Sequence, residues 1–221
     1  MTYDAVIFDN DGVLTTMTSH DRAHDATAAT LRKQGYDLEP EAVREIDDTI
    51  GRTAESVESF RTICESHDID PAYFWRTRET ILTEGILEAV ITGEKRVHED
   101  VGAIFDLDRT LAIVSNTQHR TLAKVVEHFS WERTFATYYG REPTLEGFTR
   151  MKPDPYYVEK AIADLGTENV LFVGDSSNDI GAARNVGIDS AFVRRPRKAD
   201  LELELDPTYE ITDLEQLSSI V

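Results

Sequence analysis

Asp9 and Asp11 flank Asn10 in the run Asp9-Asn10-Asp11-Gly12, at the end of a short apolar stretch. Ser115-Asn116 ends a second such stretch, and Gly174-Asp175 ends another, with Asp179 just beyond it. Lys152 stands directly ahead of a helical pattern. Four carboxylates brought together repel one another unless a cation neutralises them. Oxygen donors without His or Cys suit Mg²⁺ rather than zinc. A lysine and a hydroxyl beside such an ion suit a phosphoryl group, whose oxygens need charge and donors around them. Asn116 and the amides after it, at a helix N-terminus, add further donors. Taken singly, each residue has an ordinary role. Asp175 and Asp179 read as turn formers or caps, Ser115-Asn116 as a helix cap, and Lys152 as an exposed lysine before a proline. Only their convergence makes a site.

That convergence requires a parallel sheet. AVIFDNDGVL (5–14) opens as a strand buried on both faces and stops at a polar, Gly-bearing turn. LAIVSN (111–116), NVLFVGD (169–175) and DSAFV (189–193) repeat the pattern, and FATYYG (135–140) is a weaker copy. Helical patterns separate them: TLAKVVEHF (121–129), PDPYYVEKAIADLG (153–166) and NDIGAARNVG (178–187). In the second of these, Asp154 is placed to cap, Pro155 falls in the first turn and Gly166 is a stop; Gly187 ends the third. The fold class is therefore α/β, a Rossmann-like parallel sheet with helices on both faces. Ligands of such sheets bind at the carboxyl ends of the strands, where all the singled-out residues fall. Residues 16–89 contain no convincing strand and read as four helical segments, an all-helical cap inserted after the first strand. The core is then 1–15 and 90–221. The tail holds RRPRK (194–198), which reads as a solvated loop beside acids, then a short edge strand and helix in TYEITDLEQL.

Composition narrows the setting. The 221 residues are 40% hydrophobic, enough to bury a core. No apolar run approaches the roughly 18 residues that span a bilayer, and MTYDAVIFD carries no basic segment ahead of an apolar one. The single Cys64 reads as a small apolar filler, so the expected setting is the reduced cytoplasm. A net charge of -19 repels phosphate backbones and argues against nucleic-acid binding. Among 23 cations only Lys33, Lys95, Lys124, Lys152, Lys160 and Lys198 are lysine. Acid excess with scarce lysine points to a halophilic protein whose self-repulsion is screened by salt.

D-x-D-G-V on the first strand, Ser-Asn on the second, Lys-Pro before a helix and G-D-x-x-x-D on a later strand resemble the haloacid dehalogenase superfamily, in the expected order and over essentially the whole chain. The resemblance implies Asp9 as nucleophile, forming an aspartyl-phosphate, and Asp11 as general acid and then base. It implies Mg²⁺ on the Asp9 carboxylate, the Asp11 carbonyl and Asp175, with Asp179 close by. It implies Ser115 and Lys152, with Asn116, around the phosphoryl group. Asn10 stands where an apolar residue is commoner, with little expected consequence.

Asp11 directs the expected reaction to phosphate monoesters. Halide-removing relatives lack a carboxylate there, and phosphonate-cleaving relatives replace it and bring a cap lysine. The expected partner is a small phosphorylated metabolite, such as phosphoglycolate or a sugar phosphate. Arg52, between two cap helices, is the candidate specificity residue, with a surface arginine as its alternative. His20 and His24 read as a solvated helix face, Tyr73, Phe74 and Trp75 as cap core, and His119 as exposed helix surface. A phosphosugar mutase is the nearest alternative, since some mutases share the DGV form. A mutase must hold a second phosphate with basic cap residues, however, and Arg52 is almost alone. A receiver-like signalling switch is the alternative of another class. In receivers the hydroxyl and lysine follow every acid, whereas Asp175 and Asp179 follow Lys152. A catalytically idle binding module would not keep every acid of the site.

Overall fold

The computed structural model describes residues 3–18, 21–51 and 53–221. The sheet has six strands: β1 (Ala5–Phe8), β2 (Thr110–Gln118), β3 (Phe135–Arg141), β4 (Val170–Gly174), β5 (Asp189–Val193) and β6 (Tyr209–Ile211). They lie in the order β3-β2-β1-β4-β5-β6, and every neighbouring pair is parallel. The apolar runs are continuous because both faces are covered. Val6, Phe8, Ile113, Leu171 and Val173 pack on one side with Leu122, Val126 and Trp131. Ala5, Ile7, Ala112, Val114 and Phe172 face the other side, toward Tyr157, Val158 and Ala183. The weak run at 135–140 is β3, at one edge of the sheet, and the tail supplies β6 at the other.

The segment after β1 is helical, as the sequence predicts: α1 (Asp21–Lys33), α2 (Pro40–Asp48), α3 (Ala54–Ser66) and α4 (Pro71–Ile91). Helix α4 runs two residues past the expected border at 89. Its N-terminus is fixed by Asp70, which accepts hydrogen bonds from the Ala72 and Tyr73 amides at 2.9 Å. Phe74 and Trp75 are buried with Phe60, Leu31 and Ile46, but Tyr73 is 52% exposed and lies outside that core. Cys64 is buried there, and burial pushes its thiol up to about 12. Leu145 joins the same cluster from α6 (Leu145–Thr149), a short helix that follows β3. Phe148 of α6 packs edge-on to Trp75 with ring centroids 5.1 Å apart, so the cap core is completed by the sheet domain.

Two linkers connect the parts and lie side by side. The Thr16 amide donates to the Arg96 carbonyl at 2.8 Å and the His98 amide to the Leu14 carbonyl at 3.0 Å. Beyond them follow α5 (His119–His128), α7 (Tyr156–Leu165) and α8 (Ser177–Val186). Gly166 and Gly187 end α7 and α8 at φ 68° and 75°, as expected of left-handed stops. Pro155 sits one position earlier than expected, just before α7, while Asp154 accepts from the Tyr156 amide at 3.0 Å. The chain passes from β1 through the cap to β2 on one side and returns to β4 on the other. The carboxyl end of β1 is therefore where the strand order reverses.

Candidate active site

β1 delivers Asp9 to that point. Its amide donates to the Val173 carbonyl at 2.9 Å, and its Oδ1 accepts from the Asn10 amide at 2.8 Å. Asn10 is fully buried. The chain then turns sharply through Gly12 at φ 93°, where a Cβ would collide with the Asp175 carboxylate. A Cβ on Gly174 would strike Asp179 in the same way, so glycine lets the end of β4 approach α8.

Lys152 is the hub. Its Nζ lies 2.8 Å from Asp9 Oδ1 and 2.7 Å from Asp179 Oδ1, and it donates to the Val114 carbonyl at 2.8 Å. Burial opposes the Lys152 charge, but Asp179 and Asp9 outweigh it and raise its pKa above the usual lysine value. Burial pushes Asp9 up to about 8 against the pull of Lys152, with Asp179, Asp175 and Asp11 pushing the same way.

Asn116 does not aim its side chain at a ligand. Its Oδ1 accepts from the Lys152 amide at 2.8 Å and its Nδ2 donates to the Lys152 carbonyl at 3.3 Å. The side chain expected among the phosphate donors is spent on fixing the lysine. Both Asp179 oxygens are engaged as well. Oδ1 meets Lys152, while Oδ2 accepts from the Asp175 and Ser176 amides at 3.1 and 2.9 Å and from Ser176 Oγ at 2.6 Å.

Several cations at the site were not foreseen. Lys95, buried in the second linker, is paired through Nζ with Asp11 Oδ1 and donates to the Thr16 carbonyl at 2.6 Å. Thr117 Oγ1 donates to Asp11 Oδ2 at 2.7 Å, and Ser115 Oγ lies 3.4 Å from the same oxygen. Burial opposes the Asp11 charge, but Lys95 and Thr117 outweigh it and lower its pKa below the usual carboxylate range. The run 194–198 is not a solvated loop. Arg195 is buried and forks onto Asp100 at 2.6 and 3.1 Å, and Arg194 pairs with Glu210. Arg197 Nη2 and Lys198 Nζ lie 2.6 and 2.8 Å from Asp175 Oδ2. Four side-chain cations thus answer the four carboxylates, so neutralising the cluster does not by itself require a metal. The donor set nevertheless fits a hard dication: ligand oxygens of Asp9, Asp175 and Asp179 lie within 4.8 Å of one another, with no nitrogen or sulfur among them.

A cavity of about 360 Å³ opens onto Asp9, Asp11, Ser115, Lys152 and Asp175. It is also lined by Glu79 and Thr83 of α4, Gln118 at the end of β2 and Arg141 at the end of β3. The expected specificity residue Arg52 lies outside the described residues, as does His20. His24 is not simply solvated: its Nδ1 lies 3.4 Å from Asp47 Oδ2. His119 is exposed, stacked 5.7 Å from Tyr138.

Several known proteins are similar to this chain. The pyrophosphatase PpaX of Halalkalibacterium halodurans is 30% identical over 128 residues, 57% of this chain and 58% of that protein. A phosphoglycolate phosphatase of Agrobacterium fabrum is 30% identical over 159 residues, 68% of this chain and 63% of that protein. The match thus spans less than two thirds of the length of either relative. A solved structure from Lactobacillus plantarum, provisionally named a phosphoglycolate phosphatase, shares the fold over 100% of both chains with a TM-score of 0.67 at 18% identity. The family model described as haloacid dehalogenase-like hydrolase matches residues 3–187, and the chain belongs to that family.

Proposed function

We propose that the protein is a phosphatase that hydrolyses a small phosphorylated metabolite through an aspartyl-phosphate on Asp9. The observation that carries this reading is the contact of Asp9 Oδ1 with Lys152 Nζ at 2.8 Å, on the wall of a cavity shared with Asp11 and Ser115. Asp9 attacks phosphorus, and the bond from phosphorus to the leaving oxygen breaks while Asp11 gives that oxygen a proton. Water then attacks the same phosphorus, Asp11 takes a proton from it, and the bond to Asp9 breaks. Lys152 and Ser115 hold the phosphoryl oxygens, and Asn116 holds Lys152. Asp9 and Asp175, together with the Asp11 carbonyl and Asp179, are the residues that would hold Mg²⁺. When bound, that ion supplies positive charge to the phosphoryl oxygens. The helical block at 16–89, extended to the end of α4, would act as the cap over the core.

No helix among the described residues is long and apolar enough to cross a membrane. The charge of -19 with only six lysines supports a protein working at high salt, and the single unpaired Cys64 suits the reduced cytoplasm. The test is phosphate release from a metabolite panel with Mg²⁺, using wild type and Asp9→Asn. Wild type should release phosphate and lose activity with EDTA, and the variant should lose orders of magnitude in turnover while staying folded. Near-normal hydrolysis by folded Asp9→Asn would remove Asp9 from the mechanism.

A further inference from the structure

The cavity holds a second set of polar side chains that the phosphoryl chemistry does not use. Glu79 is 2% exposed and Arg141 4%. Arg141 Nη2 lies 2.9 Å from Glu79 Oε1 and 2.7 Å from Oε2. Gln118 Nε2 donates to Glu79 Oε2 at 2.8 Å, and Thr83 Oγ1 lies 3.3 Å from Gln118 Oε1. Behind them Arg78 lies 3.6 Å from Glu79 and 3.7 Å from Asp47. At the wall itself Arg141 is matched by Glu79, with Arg78 and Asp47 paired behind them, so this part of the cavity is neutral among the described residues. It is nonetheless dense in hydrogen-bonding groups, with donors and acceptors interleaved.

Such a wall discriminates. A substrate with a second anionic group would meet an arginine whose Nη2 is already held by both oxygens of a carboxylate, and its charge would lie beside Glu79 in a desolvated site. A hydroxyl can accept from Arg141 or Gln118 and donate to Glu79 without displacing either charge. A site built to pair with hydroxyls also rejects analogues that leave its buried groups unpaired. Resting on the phosphatase reading, we propose that Glu79, Arg141 and Gln118 select an uncharged, polyhydroxylated leaving group. The preferred substrate is then a sugar or polyol monophosphate, and substrates with a second anion, such as phosphoglycolate or pyrophosphate, are disfavoured. The pair joins α4 of the cap to β3 of the core, so it also couples selection to the seating of the cap.

The experiment compares kcat/KM for wild type and Glu79→Gln on a panel of sugar and polyol monophosphates, on phosphoglycolate and on p-nitrophenyl phosphate. Wild type should favour the best sugar or polyol phosphate over phosphoglycolate by about tenfold or more, as expected for one buried like-charge contact. Glu79→Gln leaves Arg141 without its counter-charge, so that ratio should fall by about tenfold, chiefly through a lower KM for phosphoglycolate. A ratio between two substrates is insensitive to a reduced fraction of folded enzyme, and the wild-type ratio stands even if the variant does not fold. The proposal is overturned if no sugar or polyol phosphate is cleaved faster than phosphoglycolate by wild type, or if the ratio is unchanged in folded Glu79→Gln. Wild type inactive on every compound, p-nitrophenyl phosphate included, would overturn the phosphatase reading and this proposal with it.

Discussion

Replacing Lys95 by Met tests whether the linker tunes Asp11. Lys95 is 1% exposed, and its ammonium is held between Asp11 Oδ1 and the Thr16 carbonyl. Met has similar length and no charge, so the packing is kept and the ion pair is lost. A hydrogen bond to a charged group contributes about 1.5–3 kcal/mol, and each 1.36 kcal/mol of transition-state stabilisation is tenfold in rate. If the contact holds Asp11 for proton transfer, kcat should fall roughly 10- to 150-fold. The pH profile separates this from a general loss of structure. Burial pushes the Asp11 pKa up, and Lys95 with Thr117 pulls it below its usual value. Without Lys95 the pKa rises, and the base form of Asp11 is populated only at higher pH. With p-nitrophenyl phosphate, whose leaving group needs little proton assistance, the step that requires the base dominates. The acid limb of kcat should therefore move to higher pH in Lys95→Met. Steady-state kinetics from acid to neutral pH, alongside a thermal melt, measure both effects. A folded variant with wild-type kcat and an unmoved acid limb would refute the reasoning and leave Lys95 as a linker tie only.

Asp100→Asn should cost about 3–5 kcal/mol, because it strands the buried Arg195 guanidinium. Burial raises the Asp100 pKa, but Arg195 and the Leu214 amide outweigh it and hold the value below normal. The stabilisation is thus present above about pH 4 and lost as pH falls through the lower folded value, so urea melts of the two proteins should converge in acid. Arg197→Ala frees Asp175 Oδ2 of one cation, so half-saturation by Mg²⁺ should fall by up to about fivefold, the range of an exposed pair; an unchanged Mg²⁺ titration would exclude competition. With a net charge of -19, the melting temperature should rise substantially in KCl as the Debye length falls from about 10 Å at 0.1 M to roughly 3 Å at 1 M, and a flat response would count against the halophilic reading.

The sheet was legible because its strands are buried on both faces. AVIF and VLFVG have no polar alternation, and each sends successive residues to opposite clusters. The carboxylates were legible because they sit at the ends of those runs. Their counter-charges were not, since ion pairs leave no local pattern. Lys95 is 84 residues from Asp11 in sequence, and Arg197 is 22 from Asp175. The basic run reads as a solvated loop because acids lie beside it in sequence, whereas Arg195 pairs with Asp100, 95 residues away. Nothing local marks Glu79 for burial in the helical stretch RETILTEG. It is buried only because Arg141 arrives from β3 and Gln118 from β2, a meeting that no helical period encodes.

One signal for the missing cations did lie in the composition. Of the six lysines, Lys95, Lys152 and Lys198 all contact the carboxylates of the site, although arginine outnumbers lysine in the chain. Lysine offers a compact charge with three donors, whereas arginine presents a planar fork. Lys152 Nζ reaches Asp9, Asp179 and the Val114 carbonyl at 2.7–2.8 Å at a buried position on the cavity wall. A guanidinium would be too large for that position, and its fork would match one carboxylate rather than bridge two. The Lys95 ammonium likewise bridges the Asp11 carboxylate and the Thr16 carbonyl in the segment that follows β1. If high salt disfavours lysine on the surface, lysine persists where its geometry cannot be replaced. Arginine is free to take the forked pairings instead, as Arg195 does on Asp100, where Nη1 and Nη2 each meet one oxygen. The division of labour between the two cations follows the local geometry, and it singles out Lys95 as part of the site by the same logic that singles out Lys152.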